Sequence, residues 1–123
     1  MVILFLFPVA LGIISFPSIC YISRLMIRLR YDYSTGEISP DVVEQTEQVM
    51  LNIDAALREA GSGMKDVVRV RYVFPDRNDF PKCWPVLRKW FGDVRPAAIM
   101  IQAGLLEEIM KVEIEVTAKK SIG

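Results

Sequence analysis

The first 23 residues, MVILFLFPVALGIISFPSICYIS, hold no charged side chain, whereas all thirty formal charges of the chain fall between Arg24 and Lys120. No other feature constrains the fold as strongly, because the run exceeds the roughly 18–20 apolar residues that cross a bilayer as a helix. Arg24, Arg28 and Arg30 come directly after it, and by the positive-inside rule they hold the rest of the chain on the cytoplasmic side. Pro8 and Pro17 do not forbid such a span, since transmembrane helices tolerate proline. A cleavable leader fits poorly: no Lys or Arg precedes the run, and no small-x-small site stands near its end. The expectation is a membrane anchor in residues 1–23 attached to one cytoplasmic domain in residues 24–123. Two readings compete with it: a segment buried in protein, and an aberrant N-terminus left by a wrong start or a frameshift.

The remaining composition excludes whole classes of chemistry. With 123 residues, 52% of them hydrophobic, the chain has material for one ordinary domain. It contains no histidine, which removes Ser-His-Asp and Cys-His catalysis, His-ligated zinc and an imidazole switch near neutral pH. Fifteen basic and fifteen acidic side chains give zero net charge, which argues against a nucleic-acid partner held by phosphate neutralisation. Cys20 and Cys83 form no CxxC pattern and read as buried thiols, although Lys82 beside Cys83 could lower its pKa. No dinucleotide fingerprint, phosphate loop, EF-hand or zinc pattern occurs, so neither cofactor nor metal is expected.

Beyond the apolar run, hydrophobic spacing defines the elements. Leu25, Ile27, Leu29 and Tyr31 alternate with Met26, Arg28 and Arg30, the pattern of a half-buried strand over Tyr21 to Tyr31, with a polar turn at Asp32 to Gly36. A helix is predicted from about Pro40 to Ala60. Ser39 serves as its cap, Pro40 as its first residue, Asp41 and Glu44 sit at its positive end, and Gly61 supplies a left-handed stop. Val42, Thr46, Val49, Met50, Ile53, Leu57 and Ala60 share its apolar face. A strand comes next over Val67 to Phe74, with Val68, Val70, Tyr72 and Phe74 on one face and Arg69 and Arg71 on the other. Asp79 caps a shorter helix carrying Phe80, Trp84, Leu87 and Phe91 and stopped by Gly92, and strands are predicted at Ala98 to Ala103 and Met110 to Ala118.

The order β-α-β-α-β-β points to an α+β fold, an antiparallel-rich sheet with two long crossovers and both helices on one face. The other face would display Arg69, Arg71, Glu113 and Glu115 beside small or apolar residues, which suits a cleft or a subunit interface better than bare surface.

The blocks GEISPDVVEQTEQVMLNIDAALREAG, DVVRVRYVFPDRNDF, WFG, RPAA and KVEIEVTAKK resemble, in that order, the YjgF/RidA family, also called the L-PSP family, over about residues 31–120. The resemblance implies a chorismate-mutase-like sheet, a homotrimer and a small-molecule ligand in a cleft between subunits. It implies a hydrolase activity, since active members deaminate reactive enamines and imines such as 2-iminobutanoate; others have been described as ribonucleases or translation inhibitors.

Two departures from that pattern bear on function. In deaminating members an arginine follows Pro-Ala in the block matching RPAA and pairs with the substrate carboxylate; here the position is Ala98, and a methyl group offers no forked donor. The family's first β-hairpin, with its Tyr and F-x-SG-like turn, has no counterpart in residues 1–30 and is expected to be absent or replaced. Glu113 matches the glutamate thought to activate water and is the candidate catalytic residue; burial would raise its pKa toward a working range. Arg69, Arg71, Glu115 and Ala98 are candidate ligand-binding residues, with Arg69 or Arg71 standing in for the missing anion clamp. Cross-strand ion pairing explains the same two arginines and two glutamates without catalysis. Three functions stay open: a trimeric metabolite-binding protein without imino-acid deamination, a deaminase on a substrate lacking a carboxylate, and an RNA-directed or translation-inhibiting role that the charge balance does not favour.

Overall fold

Asp41 starts the longest helix, α1 (Val42–Glu59), by accepting the Glu44 N–H at 3.1 Å. Ser39, the expected cap, stands one step further out: its hydroxyl accepts the Asp41 N–H at 3.2 Å and donates to the Glu44 carboxylate. The aspartate displaces it because its carboxylate reaches the third helical amide, so Pro40 falls outside the helix instead of at its first position. At the other end Gly61 adopts φ +78°, the Gly61 N–H bonds to Arg58 O at 3.1 Å and the Ser62 N–H to Leu57 O at 2.8 Å. This paired closure of helix carbonyls needs a left-handed residue, which glycine adopts at little cost.

The computed structural model describes residues 2–5, 11–15, 19–24 and 38–119. Its strands are β1 (Val2–Phe5), β2 (Leu11–Ser15), β3 (Ile19–Arg24), β4 (Val67–Phe74), β5 (Ala97–Gln102) and β6 (Glu113–Lys119), and α2 (Asp79–Phe91) connects β4 to β5. They form one six-stranded sheet in the order β1-β2-β3-β6-β4-β5, antiparallel throughout except for the parallel pair β4 and β5. From β3 onward the order is the expected β-α-β-α-β-β. Asp79 is the first residue of α2 and not its cap; Asn78 holds that position without a side-chain bond.

The membrane anchor expected in residues 1–23 is not what forms. Val2–Phe5, Leu11–Ser15 and Ile19–Arg24 are antiparallel strands, with Ile19 to Ile22 paired against Val116 to Lys119 of β6, and no helix among the described residues is long and apolar enough to cross a membrane. The cytoplasmic placement drawn from that anchor falls with it. Each apolar stretch is long enough for a strand, and pairing with its neighbours satisfies its backbone groups inside the sheet. A hairpin of β1 and β2 thus occupies a stretch in which the sequence shows no recognisable hairpin block. The alternation assigned to Leu25 through Tyr31 and the turn at Asp32 to Gly36 lie outside the described residues.

A bulge in β4 sets the two faces of the sheet. Val67 pairs with Ala118 and Arg69 with Thr117, so two steps along β4 match one along β6 and Val68 is the extra residue. Val68, expected in the core, is 41% exposed, and Val67 takes its place at 3%. Past the bulge Val70, Tyr72 and Phe74 join Val67 on one face with Ala118, Val116, Ile114 and Val112, and this face packs with Val49, Met50, Ile53 and Leu57 of α1 and Cys83, Leu87 and Phe91 of α2 into one core. Complete burial of side chains of this size is worth about 1.5–3 kcal/mol each, and it places both helices on the same side of the sheet. The opposite face carries Arg69, Arg71 and Val73.

Candidate functional site

Three rows cross that opposite face where β6, β4 and β5 run side by side. Strand register aligns Thr117, Arg69 and Ala97 in the first, Glu115, Arg71 and Ile99 in the second, and Glu113, Val73 and Ile101 in the third. Glu115 lies between the two arginines, its carboxylate oxygens 4.0 Å from Arg69 Nη1 and 3.9 Å from Arg71 Nη1. At these separations the groups attract by charge without a direct hydrogen bond. The Glu115 side chain is largely covered, while both arginine side chains remain partly open to solvent. Arg71 Nε is buried with no hydrogen-bond partner.

The structure therefore brings Arg69, Arg71 and Glu115 together and sets half-buried Glu113 one row further along, opposite Val73. Ala98 does not share their phase. It pairs in register with Val70, so it alternates to the side of Val70 and Tyr72 and is exposed on the edge strand. Its neighbours in that phase are Met100 and Gln102, matched to Tyr72 and Phe74.

Cys83 is fully buried, accepts a hydrogen bond from Thr46 Oγ1 at 3.1 Å, and has its thiol pKa pushed up by burial, an effect that outweighs the lowering by Lys82. It is a packing residue. Among the described residues no group of His, Cys, Asp or Glu could hold a metal ion.

Gln45 escaped the sequence reading. It is fully buried on the apolar face of α1, donates to Ser39 O at 2.8 Å and Ile109 O at 2.7 Å, and accepts the Lys111 N–H at 3.0 Å, which fastens the approach to β6 and Glu113. The available signal was a glutamine between Val42 and Val49 on the buried stripe, since a polar group there must find partners.

The family model described as Endoribonuclease L-PSP matches residues 28–120. The chain belongs to this family, also called YjgF/RidA. A RutC family protein of Pyrococcus abyssi is 40% identical to it over 90 residues, 72% of this chain and 71% of that protein. The 2-iminobutanoate/2-iminopropanoate deaminase of Capra hircus is 33% identical over 92 residues, 74% of this chain and 67% of that protein. Among solved L-PSP structures, one from Entamoeba histolytica superposes with a TM-score of 0.81 at 30% identity, covering 97% of this chain and 98% of its own. That coverage extends into the N-terminal strands, which places them within the L-PSP fold. RidA from an Antarctic Psychrobacter gives a TM-score of 0.77 at 28% identity, covering 87% of this chain and 85% of its own.

Proposed function

We propose that this L-PSP protein is a homotrimer that binds a small metabolite in a cleft between subunits and does not deaminate 2-imino acids. The observation that carries the reading is Ala98. It stands in the RPAA block where the deaminating members resembled here have a carboxylate-pairing arginine, and it lies on an edge strand whose six residues are all exposed. The exposed Ile99 and Ile101, which share one face of that strand, support a neighbouring subunit as its cover, because an apolar edge invites pairing with another chain.

The test compares the chain with Ala98→Arg. The unmodified protein is expected to sediment as a trimer and to leave 2-iminobutanoate unhydrolysed above the rate in water. The substituted protein is expected to bind 2-oxobutanoate roughly two orders of magnitude more tightly, the effect of a forked charged hydrogen bond worth about 3 kcal/mol. Efficient hydrolysis of 2-iminobutanoate by the unmodified chain would overturn the proposal.

A second reading keeps a hydrolase. Glu113, half-buried beside Val73 and Ile101, would orient water toward an imine or enamine without a carboxylate. Turnover of a neutral imine that Glu113→Ala abolishes would favour it. The zero net charge gives no support to an RNA-directed role.

A further inference from the structure

The aromatic cluster at the start of α2 opens onto a cleft that the charged sheet face does not explain. Phe80 holds ring contacts with Phe74 at 5.4 Å, Tyr72 at 5.6 Å and Trp84 at 5.9 Å between centroids. Beside it a cavity of about 220 Å³ is lined by Phe74, Arg77, Phe80, Met100, Ile101 and Gln102. The cavity lies outside the carboxyl ends of the parallel strands β4 and β5, where an α/β unit leaves a crevice.

The lining separates into two kinds of surface. Phe74, Phe80 and Met100 form an apolar wall, with Met100 56% exposed, so that wall is in water when the cleft is empty, while Ile101, in register with Val73, alternates to the other face of β5. Arg77 is the one charged residue of the lining, and it takes part in no ion pair among the described residues. Gln102 is held at the rim by its amide, which donates to Pro75 O at 3.4 Å. A cavity of about 150 Å³ with aliphatic and aromatic walls accommodates benzene, so this one has room for a single ring and a short substituent. An aliphatic acid of a few carbons would leave much of the wall in contact with water.

We propose that this cleft binds a small aromatic monoanion, its ring against Phe80 and Met100 and its carboxylate on the Arg77 guanidinium. The inference rests on the metabolite-binding reading and names its ligand class. Thioether and ring edges make favourable contacts with an aromatic face, and a guanidinium meets a carboxylate through two parallel N–H donors.

The experiment titrates the full chain, labelled at Met methyl groups, with benzoate, benzamide, acetate and 2-oxobutanoate while the methyl resonance of Met100 is followed. Benzoate is expected to saturate it, benzamide to bind at least tenfold more weakly, and acetate to leave it unmoved. Arg77→Gln, a change at an exposed turn, is expected to bring benzoate down to the affinity of benzamide. Equal binding of benzoate and benzamide, or indifference to Arg77→Gln, overturns the assignment of Arg77. Methyl shifts with 2-oxobutanoate but not benzoate overturn the ligand class and leave the metabolite-binding reading standing. If no probe shifts the Met100 methyl and the chain sediments as a monomer, both fall.

Discussion

Gln45 and Ile109, 64 positions apart, are joined by a 2.7 Å hydrogen bond from the glutamine amide to the isoleucine carbonyl. The same side chain accepts the Lys111 N–H, so one residue of α1 clips down the segment that leads into β6. Gln45→Leu keeps the bulk and leaves two carbonyls and one amide without their partner. The expected loss is about 3 kcal/mol, from the cost of buried groups left unpaired. Urea unfolding checks the magnitude, and faster amide exchange at Lys111 checks the place; an unchanged midpoint would refute the role.

Stability should fail on the alkaline side. Burial holds the Tyr72 hydroxyl well above its ordinary 10.0 and the Cys83 thiol above 9.0, and the hydrogen bond that Lys82 donates to Asp79 raises its ammonium above 10.5. In each case the folded chain keeps its proton to higher pH than the unfolded chain, so stability falls as pH rises. Their contribution is complete below pH 9.0 and is lost as pH climbs through 9.0, 10.0 and 10.5 toward the folded values. Urea midpoints are expected to be level up to that point and to decline beyond it, with a shallower decline above pH 10.0 in Tyr72→Phe.

Arg71 and Glu115 make a weak pair. The Arg71 side chain is 42% exposed and its Nη1 is 3.9 Å from the carboxylate, so solvent screens most of the attraction. A double-mutant cycle with Arg71→Ala and Glu115→Ala is expected to give a coupling of about 0.5 kcal/mol. A coupling several times larger would mark a desolvated, functional pair.

Ile99 sits at the middle row of the exposed edge strand, beside Arg71. Ile99→Asp places a carboxylate in the surface assigned to the neighbouring subunit and should shift sedimentation from trimer to monomer while the circular dichroism spectrum is preserved. A trimer that survives the substitution would locate the interface elsewhere.

Much of α1 was legible because several local signals agreed: an acidic first turn, an apolar stripe and Gly61 as terminator. The two cap residues were each misplaced, since Ser39 and Asp41, like Asn78 and Asp79, are chemically competent for the same role and only backbone geometry chooses between them. The phase of β4 was legible from Val70 onward but not at Val67 and Val68, because a bulge leaves no mark on an unbroken apolar run. The N-terminal strands resemble a helix in sequence for a related reason: without polar residues to set a period, a continuous apolar stretch fits strand and helix equally. Of the candidate site, alternation along β6 and β4 anticipated the company of Arg69, Arg71 and Glu115. It could not anticipate that Ala98 would fall in the opposite phase, because the register of β5 against β4 is set through a crossover.

The placement of β6 has a consequence for how the chain is made. β6 is the latest described strand in chain order, yet it lies between β3 and β4 and, among the described residues, is the strand that joins the N-terminal three to the rest of the sheet. During synthesis β1 to β3 and β4 to β5 emerge as two separate halves, each with an open edge, and neither can join the other until residues 113–119 have left the ribosome. A nascent chain halted before Glu113 would hold unpaired apolar strands and depend on chaperones, and assembly of the sheet becomes a single late event at the end of translation.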